Sequence, residues 1–120
     1  MLPLSHQTVY RSLQKQIEAL QTTISNSPIE VTTFKAAITE LQTGFQTEIV
    51  PRSIADLDPQ LAQRVQSVHV EIDKQLRLLG MDVMFLQAAR QVTTIEQRQQ
   101  QIRDRVNLLL RYCDALLGAA

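Results

Sequence analysis

Cysteine occurs once in this sequence, as Cys113. A lone thiol forms no internal disulfide and completes no thiolate metal site by itself. Such usage fits a reducing compartment, and a cytoplasmic location is expected. Surplus charge is also missing: 12 Lys and Arg balance 12 Asp and Glu. Sequence-independent nucleic-acid binding and anionic-membrane binding both rest on excess positive charge. Neither partner is expected. No run approaches the roughly 18 uninterrupted apolar residues of a membrane span. The opening MLPLSHQTVYRS has no basic region followed by an apolar run, so no signal peptide is expected. Glycine (3) and proline (4) are scarce. Leu, Gln, Ala and Arg are abundant instead, and these residues favour helices.

Catalytic signatures are missing too. There is no Gly-rich phosphate loop, no Gly-x-Ser-x-Gly and no His-Glu-x-x-His. Di-iron bundles use Glu-x-x-His on two helices, and no Glu-x-x-His occurs here. Glu71 and Asp73 flank an apolar stripe rather than occupy it. The expectation is a non-enzymatic protein with no cofactor or metal. His6 and His69 lie far apart in sequence. His69 falls at the edge of a core stripe, which reads as a boundary or surface histidine, or more sharply as a pH-sensitive contact. Cys113 takes a regular core position and reads as a small buried hydrophobe.

What is present is helical periodicity. Tyr10, Leu13, Ile17, Leu20 and Ile24 recur at spacings of 3 and 4 over a helix at about 5–25, with Ser5 as its expected N-cap. SNSPIE then supplies turn chemistry. Val31, Phe34, Ile38, Leu41, Phe45 and Ile49 mark a second helix at about 29–50, stopped by Pro51. Gly44 lies inside it, where close approach of a neighbouring helix is the expected reason. Asp58-Pro59 is a strong helix start. It opens a third helix, about 59–91, carrying Leu61, Val65, Val68, Ile72, Leu76, Leu79, Val83 and Leu86. TTIE at 93–96 matches a capping box and begins a fourth helix at about 94–117, with Ile95, Gln99, Ile102, Val106, Leu109, Cys113 and Leu116. Gly118 is expected as a left-handed cap. Length and pattern predict one domain, residues 1–120: an all-α, antiparallel up-down four-helix bundle with a long third helix. At about 1.5 Å per residue that helix would be roughly 45 Å long, against roughly 30 Å for the first two. Unless it bends, part of it must project.

The third helix has a second apolar face. At about 100° per residue from Leu79, the core residues fall within about 60°. Val70, Met81, Met84 and Ala88 gather about the opposite pole, and Phe85 lies at about −120°. Gly80 sits between the faces, where it would permit close packing or a bend. The second face is either buried by further neighbours and a connecting loop, or it receives a partner, another protein or a second copy. On the fourth helix Arg98, Arg105 and Tyr112 are seven apart and share one side with Leu108. Arg and Tyr are enriched in protein interfaces. The plainer reading is a solvated face with local pairs Arg103–Asp104 and Asp114–Arg111. Arg outnumbers Lys, 9 to 3, which tilts the balance toward protein contact. The candidate interaction residues are therefore Met81, Met84, Phe85, Ala88, Arg98, Arg105, Leu108 and Tyr112.

EIDKQLRLLGMDVMFLQAARQ (71–91), EQRQQQIRDRVNLLLRYCDALL (96–117) and the opening MLPLSHQTVY together resemble the cyanobacterial family of heterocyst frequency control protein PatD. The resemblance spans essentially the whole length and is most specific over 58–117. It implies a cytoplasmic, non-enzymatic regulator of how many cells become heterocysts, acting through the tubulin-like division protein FtsZ and its assembly. It carries no binding residues onto this chain. Two alternatives from other classes are a bundle holding a small apolar ligand and a general protein adaptor.

Overall fold

The computed structural model describes residues 2–25, 29–52 and 54–118. Four helices appear: α1 (Leu4–Ser25), α2 (Val31–Gly44, continued by a π-helical turn over Phe45–Ile49), α3 (Pro59–Ala88) and α4 (Val92–Gly118). No described residue is in a strand. The fold is an all-α four-helix bundle.

Neighbours run antiparallel, and side-chain bonds show the register. Gln14 donates to Asp114 (2.7 Å) and Gln21 to Asn107 (2.6 Å), so α1 ascends as α4 descends. Arg103 Nε donates to the carbonyl of Ile24 (3.1 Å), close to the end of α1. Gln42 Nε2 donates to the Leu76 carbonyl (3.2 Å) and Gln46 to Asp73 (2.8 Å), tying α2 to α3. α3 packs along α4, α4 along α1, and α2 along α3. The α1–α2 seam closes over a short stretch only. The long helices set a shape of 51 × 22 × 20 Å. The first ten residues of α4 extend past Ile24, in the last turn of α1, while the Gln42–Leu76 register carries α2 along α3 toward its end, so the long helix does not project beyond both.

The core follows the predicted stripes. Tyr10, Ile17, Leu41, Phe45, Ile72, Leu79, Val83, Ile102 and Leu109 are all within 2 % of full burial. Val31, Val68 and Ile95 are half-buried at its margin. The π turn was not expected. There, Val50 N–H bonds Phe45 O at 3.0 Å, one residue further back than in an α-helix, and both Phe45 and Ile49 stay buried.

The helix ends correct several expectations. Asp58 does cap α3, accepting from Gln60 N–H (3.2 Å) and Leu61 N–H (3.3 Å). Ser5 does not cap α1; the helix begins at Leu4, and Pro3 O takes the first N–H groups, at 3.0 and 3.1 Å. Thr93 does not cap α4, whose first bond runs from Ile95 N–H to Gln91 O (3.0 Å). Glu30 caps α2 through Thr32 and Thr33 N–H at 3.3 and 2.7 Å. A hydrogen bond from the Thr33 side chain, together with these backbone bonds, draws its carboxyl below the usual range. α3 stops at Ala88 rather than 91, because Ala89 turns extended (φ −69°, ψ 136°). Gly118 is the last residue of α4, and no described residue has positive φ, so it makes no left-handed cap. In the SNSPIE turn, residues 26–28 lie outside the described residues.

Neither Gly44 nor Gly80 marks a close helix approach. A methyl on Gly44 would meet nothing within 4 Å, and one on Gly80 would meet only Gln42 Nε2 at 3.9 Å. Each glycine pays helix entropy without a steric reason. Gly44→Ala and Gly80→Ala are each expected to stabilise the bundle by about 0.5–1 kcal/mol. The check is the midpoint of urea unfolding, and a fall in either variant would reveal a constraint that the packing does not show.

Candidate functional site

The second face of α3 is open. Met81 is 49 % exposed, Met84 61 % and Phe85 47 %, and Ala88 is exposed beside them. Among the described residues no loop or helix buries these side chains, so the reading of a wide core does not hold. Their helix is fixed from behind, since Leu76, Leu79, Val83 and Leu86 bury the opposite face. The result is an apolar ridge on a stiff backbone. Unbranched Met side chains let such a surface adapt to what it meets. At its edge the Arg98 guanidinium lies over the Phe85 ring, 4.7 Å from the centroid. This cation–π contact joins α4 to the ridge.

The rest of the α4 row does not belong to that surface. Arg105 turns inward, its Nε pairing with the buried Asp82 carboxylate and another guanidinium N–H reaching Gln75 Oε1 (3.0 Å). Tyr112 OH donates to Glu71 at 3.5 Å across the α3–α4 seam, and Leu108 is half-buried. Arg105 and Tyr112 hold the two helices together. Among the described residues the expected local pairs do not form either: Asp104 accepts from Gln100 (2.9 Å) and Asp114 from Gln14.

Gln75 and Asp82 are not among the residues that the sequence singles out; Glu71 and Asp73 are the carboxylates that stand out in this stretch. A signal existed. On the same projection Gln75 lies at about −40° and Asp82 at about −60° from Leu79, inside the sector of the core stripe. Polar residues there need a partner from the facing helix, and seven-residue spacing puts Arg105 in that seam.

A second polar cluster lies where α1, the π turn and α3 meet. Tyr10 Oη and His69 Nε2 share a 2.9 Å hydrogen bond, its direction set by the imidazole tautomer. The His69 ring stands edge-on to Tyr10 and Phe45, at 5.7 and 5.8 Å. His6 is buried next to Tyr10, with no partner for Nδ1. Burial pushes His69 down to about 4 and Tyr10 up to about 12. His69 is therefore a half-buried boundary histidine, as expected, with its ring turned toward Tyr10 and Phe45. Cys113 is fully buried, and burial raises its thiol to about 12, which makes it a poor nucleophile.

Where the α1–α2 seam stays open, a groove of about 420 Å³ runs between Leu20 and Ile24 on one side and Phe34 and Ala37 on the other. Glu30 and Glu40 stand at its rim. No described helix is long and apolar enough to cross a membrane. No family model matches the chain, and no curated protein or solved structure does.

Proposed function

We propose that this chain is a non-enzymatic regulatory protein of the cytoplasm that binds FtsZ and modulates its assembly, as its resemblance to the PatD family implies. Through that contact it would tune heterocyst frequency. The observation that supports the reading is the uncovered ridge of Met81, Met84, Phe85 and Ala88 on a rigid hairpin. Exposed apolar side chains grouped on one face mark protein contacts more often than scattered ones do. The test is sedimentation of assembling FtsZ with wild type and with Met84→Asp/Phe85→Ser. The wild type is expected to change the pelleted fraction, and the variant to lose at least most of that change while keeping its helicity. An unchanged pellet with wild type would reject FtsZ as the partner. Arg98→Glu/Arg105→Glu is the wrong variant for this purpose, because losing Arg105 strips the buried Asp82 of its counter-charge.

The α1–α2 groove favours a second reading, a small apolar ligand held between these helices. Its volume falls in the range of small-molecule sites. Apolar fractions of a cell extract would then raise the thermal midpoint, and filling the groove with Ala37→Phe would abolish the rise. A midpoint indifferent to every fraction removes this reading.

A further inference from the structure

Cations outnumber carboxylates along the ridge, although the chain as a whole is neutral. Lys74 and Arg77 precede Met81 and Met84 on the same helical stripe, at spacings of 3 and 4. Arg77 is 70 % exposed and tied only to its neighbour Asp73, at 3.3 Å. Arg90 is exposed in the link after α3. Asp82 contributes no negative field outward, being buried against Arg105. Glu96 lies about 200° round α4 from Arg98, away from the ridge. The decisive residue is Arg98. No carboxylate among the described residues pairs with it, and its guanidinium lies over the Phe85 ring. A guanidinium stacked in this way keeps its N–H edge for a bidentate acceptor, and its conformational cost is already met.

A second copy is a poor occupant. Antiparallel self-pairing centred on Met84 would bring Arg77 of one molecule beside Arg90 of the other, and like charges across an interface are repulsive. An anionic membrane is disfavoured by the neutral total charge and by the narrowness of the apolar stripe. We propose that the ridge docks a protein segment whose apolar face is flanked by carboxylates. Met81, Met84 and Ala88 receive the apolar side chains, and Arg98, held on Phe85, takes a carboxylate through its N–H edge. This rests on the ridge being the partner surface proposed above, and adds the chemistry of the partner.

The experiment uses the full chain and two synthetic helical peptides with the same Leu face, one flanked by Glu and one by Lys. Fluorescence anisotropy is expected to show the Glu peptide binding at least tenfold tighter, with the advantage shrinking as salt rises. Arg98→Glu should abolish the preference and Arg98→Lys restore only part of it, both variants keeping the wild-type melting curve. Equal affinities, no binding of either peptide, or a preference that survives Arg98→Glu would overturn the proposal. So would binding to phosphatidylserine vesicles that Met84→Asp abolishes, which would assign the ridge to lipid. FtsZ sedimentation is read separately. Glu-peptide binding without any effect on FtsZ rejects the division-protein reading alone. An FtsZ effect indifferent to Arg98→Glu and to salt rejects the carboxylate chemistry alone.

Discussion

Arg105→Met is expected to cost about 3–5 kcal/mol of folding free energy, the usual loss when one partner of a buried ion pair is removed. Asp82 is buried on the α4 side of α3, and Arg105 is its only cationic partner among the described residues. Without it the carboxylate keeps its desolvation penalty and loses the attraction that offsets it. A small domain has about 5–15 kcal/mol in all, so the variant should unfold at a far lower urea concentration. Replacing the trio together, Gln75→Leu, Asp82→Leu and Arg105→Met, removes the polar demand along with the supply. Such replacements are often neutral or stabilising. The contrast between the single and the triple variant is the informative measurement. A single variant within about 1 kcal/mol of wild type would mean that water reaches Asp82 and that the pair is a surface feature.

Acid is expected to loosen the bundle before most carboxylates titrate. His69 sits at about 4 in the folded protein against 6.5 in an exposed chain, mainly because burial disfavours its charged form. His6 is lowered as well, by burial and by Arg52. The sign follows from linkage. Between pH 6.5 and about 4 the unfolded chain binds more protons, so stability falls as pH falls through that window and is fully present above it. The slope from one group cannot exceed about 1.4 kcal/mol per pH unit. Since His69 keeps some solvent contact, a loss of about 2–3 kcal/mol between pH 7 and pH 4 is expected from it. Groups facing the cluster act on the same window: Arg52 opposes a positive charge there, and the two histidines oppose each other. His69→Gln keeps a hydrogen-bonding partner for Tyr10 and removes the titration. Urea unfolding of both proteins at pH 7.5 and 5.0 measures the difference. Parallel losses would place the acid sensitivity elsewhere.

Most of the core was legible because burial in a bundle depends on period, and residues such as Ile17, Leu41, Leu79 and Leu109 keep their period without interruption. Asp58-Pro59 was legible because side-chain cap and ring geometry act at the same place. Ser5 and Thr93 misled because a hydroxyl near a helix start is one option among several. Pro3 O and Gln91 O accept the first N–H groups instead, and the helices begin a residue or two earlier. The π turn leaves almost no trace in the sequence, since one inserted step keeps Phe45 and Ile49 buried. Arg105 shows a limit of another kind. A row of Arg98, Arg105 and Tyr112 at seven-residue spacing fits an exposed stripe and an interhelical seam equally well. Only the polar residues opposite, Gln75 and Asp82, decide between them. Exposure of the Met81 face could not be read from α3 alone, because it depends on where α1 and α2 lie.

The separation of α1 from α2 bears on how the chain is made. A hairpin of α3 and α4 closes across a three-residue link, whereas α1 finds its packed face on α4, with Ile24 meeting Arg103 some eighty positions later. Closing so long a loop costs little more than closing a moderate one, about 0.6 kcal/mol per doubling, so the delay is one of order rather than of energy. During synthesis α1 is complete long before α4 exists, and α2 offers it little cover. Tyr10 finds His69 on α3, but the stripe beyond it, toward Ile24, therefore stays without its main mate until α4 has been made. That interval, more than the finished bundle, is when most of the apolar face of α1 is uncovered.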